Sequence, residues 1–247
     1  TDCTLAATDG NAIFLKDSLR SAMTVTDSVL TSQHTSRYAI EINSVVNLSP
    51  FTFLRVSVHC GAPGAATSGA MKYMGGDVTD SPLVITDSRF SAASSTAGSD
   101  AIRMAGTLVN SAVTITDTVL SAFWVGLHMA SGPATNCPAV LTRVTATSGS
   151  FGIAMYGFTD SPVTVSDCHF AALQVAIYYT LAQTRSPILV TDTVLSSSHA
   201  TRPTIELNGP LDHSPLTFTR VTVDANGGSA TQALEFKADV VDSALTA

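Results

Sequence analysis

The sequence predicts an all-β fold, a right-handed parallel β-helix solenoid, and three observations lead to this prediction. One phrase recurs along the 247 residues, as in TVTDSVLTS at 24–32, TITDTVLSA at 114–122 and LVTDTVLSS at 189–197. Apolar and polar residues alternate within each phrase, as in a strand with one buried face. No segment keeps the three-four spacing of an amphipathic helix. A fixed period of roughly 20 to 50 residues without helices indicates stacked solenoid turns.

The charged residue at the centre of each phrase sets the period. It is either aspartate or arginine, and the residues in this column are Asp2, Asp27, Arg55, Asp87, Asp117, Arg143, Asp167, Asp192, Arg220 and Asp242. Nine intervals cover 242 − 2 = 240 residues, so the mean period is about 27 residues. We therefore expect about nine coils, each adding about 4.8 Å to the length of the solenoid.

Each coil should contain two alternating segments. The first should form one parallel sheet from residues 23–26, 51–54, 83–86, 113–116, 139–142, 163–166, 188–191 and 215–219. The second segment has two inward apolar residues, as in AIFL at 12–15 and AIRM at 101–104. The residues between those inward pairs have mixed chemistry and are predicted to form a solvent-facing column: Phe14, Glu41, Lys72, Arg103, His128, Ala154, Tyr178, Glu206 and Glu235. Gly, Ser, Asn and Pro cluster in the joins, as expected for turns.

The charged column predicts a structural ladder and a three-coil super-repeat. It reads Asp, Asp, Arg three times and then Asp. Like charges directly opposite one another destabilise a sheet, and one arginine in three gives every aspartate a cationic neighbour. We expect Arg55, Arg143 and Arg220 to lie against the aspartates of the coils on both sides. The alternative is that the aspartates are turn formers whose carboxylates accept backbone N–H bonds.

The outward positions of the first segment form an uncharged strip that is rich in threonine. We predict a docking face there, with Thr24, Thr26, Thr114, Thr116, Thr164, Thr217 and Thr219 as its residues. The alternatives are the strand propensity of threonine alone, an O-glycosylated stalk surface and an ice-binding array of the T-x-T kind. The strip is interrupted at Leu54, Val84 and Leu189, which weakens the ice-binding interpretation.

No motif predicts a catalytic, metal or cofactor site. The chain lacks GxSxG, a phosphate-binding glycine loop, CxxC and HxxxH. Aspartates on neighbouring coils could serve glycoside hydrolysis or hold Ca²⁺, but they recur with the repeat, so we predict neither. The six histidines are expected to be isolated surface residues. The four cysteines occupy positions that preclude disulfides and are expected to be buried or half-buried thiols: Cys3, Cys60, Cys137 and Cys168.

The overall charge and composition limit the classes of possible partner. A net charge of −7, a pI near 5.1 and only three lysines argue against nucleic acid. No apolar run is long enough to span a membrane. Residues 1–247 are predicted to form one solenoid without a linker, and they begin and end in the same phase of the repeat. We therefore expect a segment of a longer array, whose strand edges pair with flanking coils or with head-to-tail copies in a filament.

The recurring pattern of hydrophobic-x-hydrophobic-x-Asp/Arg-x-x-Leu/Phe resembles pectate-lyase-like right-handed β-helices over the whole chain. That resemblance implies the fold. It does not imply the activity, because the catalytic arginines and calcium-binding carboxylates of the lyases have no matching cluster here. The repetitive Ala/Ser/Thr/Val-rich style is similar to that of large surface adhesin-type proteins, such as the dispersed gene family of trypanosomatids. This second resemblance implies a structural or adhesive role, without catalysis, outside the cell or on its surface, with glycans or surface proteins as partners.

The alternative function is a β-helix that binds or cleaves carbohydrate. A cleft lined by aromatic and acidic residues would favour the carbohydrate interpretation, and an even solenoid would favour the structural one. Aromatic residues are few, and Trp124 is the one tryptophan.

Overall fold

The computed structural model describes residues 2–16, 20–34, 37–43, 45–61, 69–74, 76–93, 98–129, 132–225 and 232–246. Every regular element in these ranges is a β-strand, and the strands wind into a parallel solenoid of about eight turns. The described residues contain no helix. The predicted all-β parallel β-helix is therefore confirmed, with about one turn fewer than the nine coils expected.

The strands in chain order are β1 (Thr4–Ala7), β2 (Ile13–Lys16), β3 (Met23–Ser32), β4 (Ile40–Asn43), β5 (Val46–Asn47), β6 (Phe51–Cys60), β7 (Met71–Met74), β8 (Val78–Thr79), β9 (Leu83–Thr86), β10 (Arg89–Ala92), β11 (Ile102–Met104), β12 (Leu108–Val109), β13 (Val113–Thr116), β14 (Val119–Ala122), β15 (Val125–Met129), β16 (Ala134–Thr135), β17 (Ala139–Thr142), β18 (Thr145–Ser148), β19 (Phe151–Met155), β20 (Phe158–Thr159), β21 (Val163–Ser166), β22 (His169–Ala172), β23 (Val175–Tyr179), β24 (Gln183–Thr184), β25 (Ile188–Thr191), β26 (Val194–Ser197), β27 (Ile205–Leu207), β28 (Leu211–Asp212), β29 (Leu216–Thr219), β30 (Thr222–Ala225), β31 (Leu234–Phe236), β32 (Val240–Val241) and β33 (Leu245–Thr246).

These strands form three sheets that run along the solenoid. The nine-stranded sheet has the order β2-β4-β7-β11-β15-β19-β23-β27-β31, and the eight-stranded sheet runs β5-β8-β12-β16-β20-β24-β28-β32. The large sheet has sixteen strands in two rows, β9-β13-β17-β21-β25-β29-β33 and β10-β14-β18-β22-β26-β30, which meet at the long strand β6. β6 pairs with β3, and β3 pairs with β1. The segments predicted to form one parallel sheet all lie in the large sheet.

The register stacks like residues because each turn repeats the same alternation. Val113 and Ile115 of β13 pair with Ala139 and Leu141 of β17, so inward residues lie above inward residues. The resulting core is a tube of small and branched side chains with aromatic residues at intervals. Phe53 and Phe90 meet edge to face inside it, with ring centroids 6.1 Å apart. The tube is fully buried through the middle turns.

Core residues of the first and last turns are less completely covered. The apolar residues that are only partly buried against the core come from these end turns: Ala12, Ile13, Leu15, Met23, Val25, Phe218, Val221, Val223, Leu234 and Phe236. In the middle turns the equivalent positions have neighbours above and below. The end turns therefore leave more of their apolar core residues accessible than the middle turns do.

A ladder of buried hydroxyls supports the corner before each strand of the β9 row. Its buried members are Ser49, Ser81, Ser111, Cys137, Ser161, Ser186 and Ser214, and it is extended by the backbone N–H of exposed Ser21 at one end and by the half-buried hydroxyl of Ser243 at the other. The Ser161 N–H donates to Ser186 Oγ at 3.1 Å, and Ser186 Oγ donates to Thr184 O at 2.9 Å. Each buried hydroxyl thus accepts from a backbone N–H and donates to a backbone carbonyl that are not paired within the sheets.

The cysteines are thiols, and three of the four are buried as expected. Cys137 replaces a serine in the hydroxyl ladder: its Sγ accepts from the Ser111 N–H at 3.2 Å and donates to Thr135 O at 3.1 Å. Burial raises the pKa of Cys168 to about 11. Cys3 is exposed, contrary to the expectation.

Candidate functional site

The charged column occupies a corner of the solenoid where the backbone turns between two strands. Its nine members from Asp2 to Arg220 have left-handed backbone conformations, with φ between 48° and 54°. Aspartate enters this region more readily than most residues. The column members are stacked because the N–H of Asp117, for example, donates to Thr142 O of the next turn at 3.0 Å. The aspartates are thus corner residues as well as members of a charged stack.

Each predicted arginine forms a two-pronged ion pair with one aspartate. Arg143 Nε lies 2.6 Å from Asp117 Oδ1, and Arg143 Nη2 lies 2.7 Å from Asp117 Oδ2. Arg55 pairs with Asp27 and Arg220 with Asp192 in the same geometry. The pairing is one-sided, because a planar guanidinium forks onto a single carboxylate. Asp87 and Asp167 follow in the column, and their charges raise the pKa of Arg55 and Arg143 to a smaller extent.

Asp242 does not belong to this column, and its assignment there was wrong. It lies in a second left-handed corner column, with φ of 47°, and the residues of that column are Leu48, Asp80, Asn110, Asn136, Asp160, Arg185, His213 and Asp242. His213 Nε2 lies 3.5 Å from Asp242 Oδ2. The sequence signal for this second corner is the Ser (Cys137 after Asn136), and often then Pro, that follows each member, as in DSP at 80–82. Asp242-Ser243-Ala244 fits that signal better than it fits the first column.

The second column forms its own ladder. Asn110 Nδ2 donates to Asp80 Oδ1 at 3.1 Å, and Asn136 Nδ2 donates to Asn110 Oδ1 at 3.3 Å. Arg185 makes a two-pronged pair with Asp160 at 2.6 and 2.7 Å. Two corners of the solenoid therefore carry polar side-chain ladders on their outer surface.

Acid should weaken the corner ion pairs. The pKa of Asp117 is lowered, chiefly by its hydrogen bond with Arg143. A carboxylate with a lowered folded pKa stabilises the fold above its unfolded pKa of about 3.9, and that contribution disappears as the pH falls through the folded pKa. We expect Arg143→Gln to lower the urea midpoint at pH 7 and to change it less at pH 2, as followed by circular dichroism at low salt.

Arg89→Gln is the matched control, because Arg89 is an exposed arginine outside both columns. It should alter the urea midpoint less than Arg143→Gln does at pH 7. An Arg143→Gln effect of equal size at pH 7 and pH 2 would show that the lost stability does not come from the charge of Asp117.

The predicted docking face is a flat array on the β9 row of the large sheet. Thr114, Val140, Thr164, Leu189 and Thr217 stack in one outward column. The second column contains the remaining hydroxyls in the same register: Thr116, Thr142, Ser166, Thr191 and Thr219. Thr24 and Thr26 extend the two columns on β3. The face is uncharged and is flanked by the two corner ladders.

The outer face of the nine-stranded sheet differs from its prediction. Its nine predicted residues do form one column, since Arg103 pairs with His128 and His128 with Ala154. The column is not simply solvent-facing, however: Glu41, His128, Ala154 and Glu206 are buried. Side chains from the neighbouring connections cover them and form two polar and aromatic clusters.

The first cluster contains the buried pair Asp100 and His128. Asp100 is 0% exposed and His128 is 6% exposed, so the prediction of an isolated surface histidine is wrong for His128. His128 Nδ1 lies 3.2 Å from Asp100 Oδ2, and Arg103 Nη1 lies 3.6 Å from the same oxygen. The ring of His128 stacks on Tyr156, with centroids 5.2 Å apart. This is a buried group of acidic, basic and aromatic side chains.

Tyr38 closes the cluster at its other end. Its hydroxyl donates to Gly98 O at 3.3 Å, and a side chain at Gly69 would collide with its ring, so only glycine fits beneath it. Burial, together with the charge of Asp100, raises the pKa of Tyr38 to about 12. Tyr38 is therefore a neutral hydrogen-bonding group at physiological pH.

The second cluster is an aromatic and ionic network. Phe151 and Tyr178 stack with centroids 4.5 Å apart, and the Arg202 guanidinium lies 5.1 Å from the Phe151 centroid. Glu206 is 1% exposed and accepts from Arg202 at 2.8 Å and from Lys237 at 2.7 Å. Burial raises the pKa of Glu206, but the two cations outweigh it and the net shift is downward.

The fold places the chain in the class of parallel β-helix proteins. No protein-family model and no curated protein matches it. Within the described ranges, no group of three or more His, Cys, Asp or Glu side chains could hold a metal ion, and no helix is long and apolar enough to cross a membrane.

Proposed function

We propose that this chain is a structural or adhesive β-helix segment that works outside the cell or on its surface, without catalysis. The observation that carries the proposal is the continuity of the buried serine ladder from turn to turn, together with the side-chain pairs that join neighbouring turns at two corners. Repeated contacts of this kind make a solenoid whose stability is spread over neighbouring turns. Such a solenoid provides length and surface. The resemblance to repetitive surface adhesin-type proteins supports the same role.

The threonine-rich face is the proposed docking surface. It is uncharged, although the chain carries a net charge of −7, and a partner can approach it without displacing an ion pair. Its methyl and hydroxyl groups recur once per turn at a strand spacing of about 4.8 Å. A partner with a repeating, uncharged surface fits this array. The exposed aliphatic side chains of Val140 and Leu189 make the face more apolar than a pure threonine array.

The partners proposed along the axis are further β-helical turns. The partly buried apolar residues of the end turns, such as Leu15 and Phe236, can be covered by coils of the same protein or by a second copy stacked head to tail. Unpaired strand edges favour such pairing. Glycans and surface proteins are the partners proposed for the lateral faces.

Adhesion of protein-coated beads to immobilised extracellular-matrix proteins tests the docking face. We expect retention of wild-type beads and at least about a tenfold loss for the double variant Thr116→Lys with Thr164→Lys, because buried ammonium groups are costly to desolvate. The matched control is Thr147→Lys with Thr222→Lys, which adds the same charge at exposed threonines on the other row of the large sheet. Equal losses for both variants, or no retention of the wild type, would contradict the proposal.

Glycan binding is the second candidate function, and the outer face of the nine-stranded sheet favours it. Aromatic and acidic side chains gather there, as the carbohydrate interpretation expects of a cleft, although Asp100 and Glu206 are themselves buried. The faces of Phe151 and Tyr178 are occupied by each other and by Arg202, so that cluster offers little free ring surface for a sugar. The cluster around Asp100 and His128 is the better location.

A further inference from the structure

The cluster around Asp100 contains buried polar atoms that no side chain or backbone group satisfies. Asp100 Oδ1, His128 Nε2, Arg103 Nε and Ser99 Oγ are all inaccessible and lack hydrogen-bond partners. Native proteins rarely leave buried polar groups unpaired, and a group of them in one contact network calls for an explanation. Asp100 is fixed in place, since its carbonyl accepts the Ala70 N–H at 3.1 Å. The unpaired atoms therefore belong to a defined part of the sheet.

The hydrogen-bonding character of these atoms identifies the chemistry they suit. In the tautomer that donates the Nδ1–H of His128 to the Asp100 carboxylate, His128 Nε2 is an acceptor. Asp100 Oδ1 is a second acceptor. Arg103 Nε is a donor, and the Ser99 hydroxyl can donate or accept. The set is mixed, with both kinds of partner required.

The charges of Asp100 and Arg103 limit the chemical class of the ligand further. Asp100 would repel an anion, and Arg103 would repel a cation. Neutral hydroxyl groups can pair with both the acceptors and the donors of the cluster, because each hydroxyl donates one hydrogen bond and accepts others. The rings of Tyr38 and Tyr156, which both lie near Asp100 and Arg103, supply apolar walls. This combination of a few placed polar groups and aromatic walls is typical of small-ligand sites.

We propose that Ser99, Asp100, Arg103 and His128 form a binding site for the vicinal hydroxyl groups of a neutral sugar residue. This inference deepens the second candidate function and rests on it. Arg103 is the entrance: its side chain is 31% exposed, and its 3.6 Å contact with Asp100 is longer than the usual 2.7–2.9 Å of a charge-assisted hydrogen bond. Binding requires the Arg103 side chain to move aside, so that a ligand can reach the acceptors of Asp100 and His128.

Nuclear magnetic resonance of histidine-labelled protein tests the site. The probes are methyl α-mannoside, methyl β-galactoside and methyl β-glucoside at millimolar concentration, with galacturonic acid as the charged comparison. We expect at least one neutral glycoside to shift the His128 ring signal saturably, with that signal assigned from a His128→Gln variant. An analogue lacking one vicinal hydroxyl should bind at least about tenfold more weakly, since it leaves a buried group unpaired.

Two variants and a control make the test specific. Asp100→Asn and Ser99→Ala should each weaken glycoside binding at least about tenfold, whereas Asp160→Asn in the second corner column should leave it unchanged. Ser99→Ala removes one hydroxyl and keeps the ion pairs, so it decides the question if Asp100→Asn does not fold by circular dichroism. Binding of galacturonic acid alone, or no shift of the His128 signal with any glycoside, would overturn the site.

The outcomes also separate the site from the candidate function. Glycoside binding that persists in both variants and leaves the His128 signal unmoved would overturn the site and retain glycan binding on another face. The absence of any glycoside binding would overturn both. The bead assay depends on different residues and is decided independently.

Discussion

Replacing Phe170 with alanine should lower the free energy of unfolding by about 3–5 kcal/mol, the usual cost of removing a buried phenylalanine. Phe170 is 0% exposed and stacks between Ala146 and Leu195 of the adjoining turns. Two of the residues beside it are small: Ala146, and Gly152, where an added side chain would lie 3.2 Å from Phe170 Cβ. Few nearby side chains can therefore fill the cavity. Urea unfolding followed by circular dichroism measures the change.

Phe123→Ala is the matched control, because Phe123 is 44% exposed at a corner of the same region. It should cost less than about 1 kcal/mol, as surface substitutions do. A solenoid can also unfold in parts, so a broader transition with a smaller slope would indicate that Phe170→Ala uncouples the turns on either side. Equal effects of the two substitutions would contradict the assignment of Phe170 to the core.

Replacing Ser186 with valine should cost about 1–3 kcal/mol, because it leaves the buried Ser161 N–H without an acceptor. In the native chain that N–H donates to Ser186 Oγ at 3.1 Å. Ser186→Cys is a control that the chain itself offers, since Cys137 performs the same two hydrogen bonds in the same column. We expect the cysteine variant to lose less than about 1 kcal/mol. Thermal and urea unfolding of the two variants give the comparison.

The two substitutions at position 186 separate polar satisfaction from packing. Valine and cysteine are both small enough for the column, but only cysteine can accept and donate. If both variants lose the same stability, the hydroxyl ladder contributes shape alone. If only valine is costly, buried hydrogen bonding at the corner holds neighbouring turns in register.

The corner ladders carry less stability than the core, and their geometry explains why. The four arginine–aspartate pairs of the two corner columns are exposed, and exposed pairs are weakened by solvent and salt. Their value lies in register: a two-pronged pair such as Arg220 with Asp192 has its best geometry only when adjacent turns are correctly aligned. The ladders thus support the structural role by keeping successive turns in phase.

The recurring phrase by itself determined the fold and the partners within it. In the strands on either side of Asp117 or Arg143, successive side chains point to opposite faces of the sheet. The repeat period then places equivalent residues of successive turns in adjacent strands. The spacing therefore predicts that Arg55, Arg143 and Arg220 lie between aspartates of the two adjoining coils, and the structure pairs them with Asp27, Asp117 and Asp192 alone. Because side chains alternate with a period of two and each turn falls at a fixed position in the repeat, few alternative registers between stacked turns are possible.

The tertiary structure alone decided the burial of the outer column and the cluster around Asp100. The connections differ in length from turn to turn: residues 93–101 separate β10 from β11, but only Phe123 and Trp124 separate β14 from β15. Residues outside the repeat have no fixed column, so periodicity could not place Asp100 beside His128. Asp242 was misplaced for a related reason. The short strand before it, β32 (Val240–Val241), resembles in sequence the end of the longer strands that precede the first corner column. Repetition predicts what recurs, whereas side-chain packing between unequal connections decides where the chain departs from it.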